Sequence, residues 1–167
     1  VEIASWIVRR ELDNPIPGRV IDLNRNAGGV RALINRTREV DTGAISFGFG
    51  AETELQRDDR QNYQNQYNFS DGGRGSLILN QFEKVRGMGL FAQGRLDHES
   101  GLSLLAGLRY DNINFSVDDR FQAAGNPDDS GSRAMDALSP SVGVLLGSAD
   151  NIQFFSNVSK SFETPTT

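Results

Sequence analysis

Between Gly43 and Gln56 the chain alternates with a period of two. Ile45, Phe47, Phe49, Ala51, Thr53 and Leu55 fall on one side, and Ser46, Gly48, Gly50, Glu52, Glu54 and Gln56 on the other. Successive side chains of a strand point to opposite faces, so this run has one apolar face and one polar face. The pattern returns further along the chain, with no helical period in between. A sheet whose inner side carries glycine and polar residues is the sequence mark of a membrane β-barrel. Its outside meets lipid and its inside meets water or polar protein.

Composition agrees with that reading. The 167 residues suffice for one domain, yet only 37% are hydrophobic. A barrel needs apolar residues only at alternate positions, so its average stays low. The net charge of −5 argues against a nucleic-acid partner, which requires a basic stripe. The chain has no cysteine, which excludes a disulfide scaffold and thiolate metal sites. No run approaches the ~20 apolar residues of a membrane helix. The first residues, VEIASWIVRR, read as strand rather than signal peptide, so a mature or truncated start is expected.

The sequence predicts an all-β fold: an antiparallel up-and-down meander of about seven strands, forming a segment of a transmembrane β-barrel. The strands are Val1 to Leu12, Arg19 to about Arg36, Gly43 to about Asp59, Leu77 to His98, Leu102 to Val117, Ala137 to Gly147 and Ile152 to Phe162. Gly28 and Gly29 suggest a bulge in the second. In the fifth, apolar parity flips past Asn112 to Ile113, Phe115 and Val117, which predicts a bulge or a departure from the bilayer.

The connectors sort by length. Residues 99–101 and 148–151 read as tight turns, 36–42 as a somewhat longer one, and 60–76 and 118–136 as wide polar loops. Outer-membrane barrels have short periplasmic turns and long outer loops, so the wide loops and 13–18 are expected outside. Single-chain bacterial barrels use even strand numbers, so seven strands predict a piece of a larger barrel with two open edges. Residues 1–167 alone are then expected to be insoluble or to associate edge to edge.

Candidate functional residues follow from parity and loop chemistry. Glu52, Glu54, Arg95, Asp97, Arg109 and Asp111 fall on the inner side, where they line the lumen. On the lipid side each would cost roughly 2–4 kcal/mol at the midplane. In the 60–76 loop, Arg60, Tyr63, Tyr67, Phe69 and Arg74 are the candidates for ligand contact, because aromatic and Arg side chains anchor ligands and Arg suits anionic chelates. Trp6, Tyr110, Phe115, Phe154 and Phe162 are weighed as interfacial girdle residues against plain strand packing, with Tyr110 favoured.

Other signals read blandly. Asp128-Asp129-Ser130-Gly131 lacks the spacing of a calcium loop and reads as a solvated turn. His98 is the only histidine, so neither a metal site nor a catalytic triad is expected, and no cofactor. Asn68-Phe69-Ser70 and Asn157-Val158-Ser159 match the glycosylation pattern by chance. Gly48 and Gly50 lack the Lys-Ser/Thr and helix of a phosphate loop. An enzyme, a soluble β-sandwich binding module, and a small complete outer-membrane barrel with a structural or adhesive role are the alternatives to a barrel segment.

Five stretches come in order at strand spacing: Asn80-Gln81-Phe82-Glu83, Gly89-Leu90-Phe91-Ala92-Gln93, Gly107-Leu108-Arg109-Tyr110-Asp111, Leu138-Ser139-Pro140-Ser141-Val142-Gly143, and Ser159-Lys160-Ser161-Phe162-Glu163-Thr164-Pro165-Thr166. They resemble consecutive barrel strands of TonB-dependent outer-membrane receptors. The run Asp13-Asn14-Pro15-Ile16-Pro17 and Gly28-Gly29-Val30-Arg31 is similar to the preceding part, less distinctively. The resemblance implies a twenty-two-stranded barrel in the bacterial outer membrane, plugged by an amino-terminal domain. It implies import of a ferric siderophore or another scarce metal chelate, with energy from the TonB complex. The partners implied are the chelate, the plug and the rest of the barrel, TonB and outer-membrane lipid. The chain shows no plug, TonB-contacting box or carboxy-terminal strand, so residues 1–167 are expected to be a partial barrel.

Overall fold

The computed structural model describes residues 1–66, 73–147 and 152–163. They form one seven-stranded sheet in sequence order, antiparallel throughout. The strands are β1 (Glu2–Ile16), β2 (Arg19–Val40), β3 (Gly43–Asn65), β4 (Arg74–His98), β5 (Leu102–Asp119), β6 (Gly131–Leu146) and β7 (Phe154–Ser159). Strand number, order and direction are those expected from the alternation. No strand crosses over, as befits consecutive hairpins.

Tight turns stand where backbone chemistry provides them. Pro17 and Gly18 join β1 to β2. Proline fixes the first central residue, and Gly18 supplies φ +86° at the second. Asp41 and Thr42 join β2 to β3, and Glu99-Ser100-Gly101 join β4 to β5 with Gly101 at φ +84°.

Most strands run further than their alternation indicated. Asp13–Ile16, the stretch up to Val40, Arg60–Asn65, Arg74–Ser76 and Gly131–Asp136 all belong to strands. The 13–18 and 36–42 connectors are therefore two-residue turns, and the wide connectors shrink to 66–73 and 120–130. β7 is shorter, six residues. The 148–151 turn and Thr164 onward lie outside the described residues.

Directly paired residues share a face, so the register fixes sidedness. The row Ala32, Ala51, Leu90, Tyr110, Leu138 lies on one side, here the outer side. Leu33, Gly50, Phe91, Arg109 and Ser139 form the neighbouring row on the inner side. Outer apolar side chains stay exposed: Phe49 is 57% and Val142 59% accessible. Among the described residues Val20 alone is a buried hydrophobic, at 1%. No second layer covers this apolar outer side among the described residues.

The outer apolar band runs from Ile45 to Leu55 on β3 and from Met88 to Leu96 on β4. Each is about the 9–11 residues that a tilted strand needs to cross a bilayer. Toward the wide connectors, which we call upward, the band ends at Leu55, Met88, Tyr110 and Leu138 on successive strands. Arg86 pairs with Leu55, Asn112 with Met88, and Asp136 with Asn112, so the boundary steps down from β3 to β5. Strand tilt produces such a staircase.

Three local expectations are settled by the register. Pairing is regular at Gly28 and Gly29, so no bulge lies there; the irregularities are at Asn62, Tyr63 and Asn65. Gly29 instead makes room for Trp6: a Cβ would sit 2.9 Å from the indole Nε1 and 2.9 Å from the Thr53 carbonyl. The flip past Asn112 is no bulge either, because β4 and β5 pair without a shift. Above the band the outer side becomes polar, and Ile113, Phe115 and Val117 are on the inner side. Trp6 and Phe115 are likewise inner and not girdle residues, while Tyr110 and Phe154 are outer. Phe162 lies beyond β7.

Candidate functional site: the inner wall

Four strands build a charged cluster midway along the inner side. Arg31, Glu52, Gly89 and Asp111 form one row, with Gly50, Phe91 and Arg109 in the next. The period of two puts every one of these on the same face. The glycines are structural necessities. Phe91 lies over Gly50, where a Cβ would collide with the ring, and a Cβ on Gly89 would meet Arg109 Nη2 at 2.6 Å.

Arg109 is the centre. Its Nε donates to both oxygens of Asp111 at 2.9 Å, and its Nη2 to Asp111 Oδ1 at 2.6 Å. Nη2 also donates to Glu52 Oε1. The fork geometry of guanidinium matches such bidentate contact. Arg109 and Arg31 both lie over the Phe91 ring, at 5.8 and 4.9 Å from its centroid. Arg109 and Glu52 are about a third exposed, so each pair is worth at most ~1 kcal/mol, and each cation–ring contact ~0.5–1 kcal/mol. Fixed geometry, more than stability, is what the cluster supplies.

Two open grooves meet at Arg109. One, of about 340 Å³, is bounded by Trp6, Arg31, Glu52, Glu54 and Asp111; the other, of about 580 Å³, by Asn35, Gln93, Arg95 and Ser141. Glu54 packs beside Gly87. Nearer the short turns, Arg95 Nε donates to Asp97 Oδ2 at 2.7 Å, and Ser103 Oγ to Asp97 Oδ1 at 2.5 Å. All six inner-side candidates therefore share one face, with Glu52, Arg109 and Asp111 in direct contact.

A second inner cluster sits higher. Asp58 is 1% accessible and takes Arg25 Nε at 2.9 Å, Arg25 Nη2 at 2.5 Å and Gln56 Nε2 at 3.0 Å. Its cross-strand neighbour is a second acid, Glu83, which Arg60 approaches at 3.6 Å. Two facing buried carboxylates require two cations. Arg60 Nε and Asn62 Oδ1 are buried without a hydrogen-bond partner among the described residues. Sequence reading missed this cluster. Its signal was the inner parity of Glu52 and Glu54 continuing unbroken through Gln56, Asp58 and Arg60.

Of the loop candidates among the described residues, Tyr63 and Arg74 meet and Arg60 lies apart from them. Arg60 and Tyr63 are in β3, and Arg74 opens β4. Arg60 is inner. Arg74 instead bonds Asp13 at 2.6 Å and Asp22 at 2.7 Å and lies over the Tyr63 ring. Tyr67 and Phe69 lie outside the described residues. In the 120–130 connector, the Ser130 hydroxyl and amide hold the Asp128 carboxyl below the ordinary carboxylate range. No group of three or more His, Cys, Asp or Glu is placed to hold a metal among the described residues. His98 Nδ1 bonds Ser100 within the β4–β5 turn.

Comparison with known proteins identifies a family and a fold. A family model described as TonB dependent receptor-like, beta-barrel, matches residues 11–167. The crystal structure of the ferric citrate transporter FecA in the unliganded form superposes with a TM-score of 0.73 at 13% identity, over 94% of this chain and 24% of that one. The chain thus spans about a quarter of the FecA chain, and the likeness is one of fold.

Proposed function

Since the chain belongs to the TonB-dependent receptor family through its β-barrel domain, we propose that it is a stretch of wall in an outer-membrane, TonB-energised transporter for a ferric siderophore or similar metal chelate. The family is one of receptors and transporters, not of enzymes. The observation that carries the reading is the two-sidedness of one sheet: a bare apolar band outside, and Arg109, Glu52 and Asp111 held in fixed geometry inside. The inner side faces the lumen. A plug, the remaining strands and the TonB contact belong to parts of the protein beyond residues 1–167. That FecA carries ferric citrate supports an iron chelate as cargo.

The wide-connector end faces outside. Arg60, whose Nε has no partner among the described residues, is the better ligand contact of the loop candidates, because Arg74 is occupied by Asp13, Asp22 and the Tyr63 ring. Tyr67 and Phe69 complete the proposed set.

Two measurements test the proposal. Uptake of iron-loaded chelates by cells that rely on the full-length protein should vanish without TonB; uptake that persists rejects energised transport. An impermeant thiol reagent on whole cells should label Ala124→Cys and spare Ser100→Cys, and the opposite pattern inverts the orientation.

A further inference from the structure

Two arginines on the outer side, both above the apolar band, make the same reach. Arg74 of β4 crosses the Tyr63 ring of β3, 5.1 Å from its centroid, and bonds Asp22 of β2 at 2.7 Å and Asp13 of β1 at 2.6 Å. Arg120, just past β5, crosses the Phe82 ring of β4 at 4.9 Å and approaches Asp59 of β3 at 3.7 Å. It also bonds Asp118 at 3.1 Å. The register places Asp13, Asp22, Asp59, Phe82 and Asp118 on the outer side. Each strap thus ties a strand to the next but one over an aromatic ring, and each stands where a wide connector meets the sheet. At mid-height the pull is on the opposite side. There Arg109 of β5 reaches Glu52 of β3 across Gly89 of β4, on the inner side.

Neighbouring strands lie about 4.8 Å apart, so each tie spans twice that distance. A tie on the inner side curls the sheet toward the lumen. The same tie on the outer side bends it back. We infer that Arg74 and Arg120 hold the upper wall flared, so that the mouth of the lumen stands open to solute, and that ionic strength sets how far. Every charged group in the straps is more than a third exposed, and exposed pairs are screened by salt. Asp13 and Asp22 face each other directly across β1 and β2, and like charges so placed repel once Arg74 lets go. Release is therefore felt at the β1–β2 turn as well as at the connectors. This inference rests on the inner side facing a lumen, as proposed above.

The test uses the full-length protein in detergent, spin-labelled at Asn14→Cys and Ala124→Cys, with the distance between the labels read by pulsed electron resonance. Arg74→Gln together with Arg120→Gln should shorten that distance by about 5 Å, one strand spacing. Salt at about 1 M should shorten it in the parent and leave the double variant unchanged. Arg9→Gln breaks an outer ion pair within one strand and should change nothing. On whole cells a bulky impermeant thiol reagent should reach Val117→Cys, on the inner side, severalfold more slowly in the double variant, and a small reagent equally fast. Should the double variant fail to fold, Arg120→Gln alone and the salt response of the parent carry the test. An unchanged or longer distance, an equal change with Arg9→Gln, or a salt response that survives loss of both arginines overturns the straps. Failure of the barrel reading shows separately, as a protein that stays monodisperse without detergent.

Discussion

Below Leu55 and Met88 the outer side of the sheet is hydrocarbon, and the inner side carries glycine, serine and charge around Phe91; above them Arg57, Lys84 and Asn114 are outer, while Phe115 and Val117 are inner. The same strands make both regions, and the register between β4 and β5 passes through the change without a shift. The backbone is therefore not what switches. What changes is the surroundings on the outer side, from lipid to water, and the side chains follow. Below, burial on the inner side is light and polar. Above, it holds a carboxylate almost wholly out of water.

The largest effect that sharpens this comparison belongs to the upper region. Arg25→Ala leaves Asp58 with Gln56 alone and should cost the full-length protein roughly 3 kcal/mol or more, read from its unfolding midpoint. A cost below ~1 kcal/mol would mean that water reaches Asp58 and the regions differ less than described. Next comes a direct contrast of the outer side. Val142→Arg, inside the band, should cost roughly 2–4 kcal/mol, and Ser116→Arg, above it, within ~0.5 kcal/mol. Equal costs would erase the boundary.

Gly29→Ala probes inner packing. The added methyl meets Trp6 and the Thr53 carbonyl, for about 1–3 kcal/mol, because overpacked sites shift backbone. An unchanged midpoint would show the indole free to move aside. The smallest effect is Arg74→Ala. Arg74 and its partners Asp13 and Asp22 are all more than a third exposed, so the loss should stay within ~1 kcal/mol and shrink further in high salt.

The two regions also explain what was legible in the sequence. Within the band, polarity contrast is strong, so Ile45 to Leu55 and Leu138 to Leu146 could be read directly. Above it both sides carry polar residues, and Arg60–Asn65 or Gly131–Asp136 look like loop although their pairing continues. Trp6 was unreadable for a related reason: Ala4, Trp6 and Val8 are as apolar as Ile3, Ser5 and Ile7, so β1 has no parity of its own. Only its pairing with Gly29 assigns it a side. Parity found Glu52, Arg109 and Asp111 as co-facial. It could not say that they touch, since that depends on the space at Gly89. Asp58 lies within the expected strand, but its partners Arg25 and Glu83 come from β2 and β4, so only the register brings the cluster together.

The turn of Pro17 and Gly18 and the unbroken meander that follows bear on how the wall is made. Among the described residues every strand pairs only with its neighbours in sequence, so pairing can advance like a zipper, each completed strand serving as the template for the next. Contacts far apart along the chain need not be found by search. Assembly then has a direction, and an interruption at the β4–β5 turn should spare what was laid down before it. Amide protection of β1–β3 in a chain ended after Glu99 would reveal that order, and its absence would mean that the wall forms only as a whole.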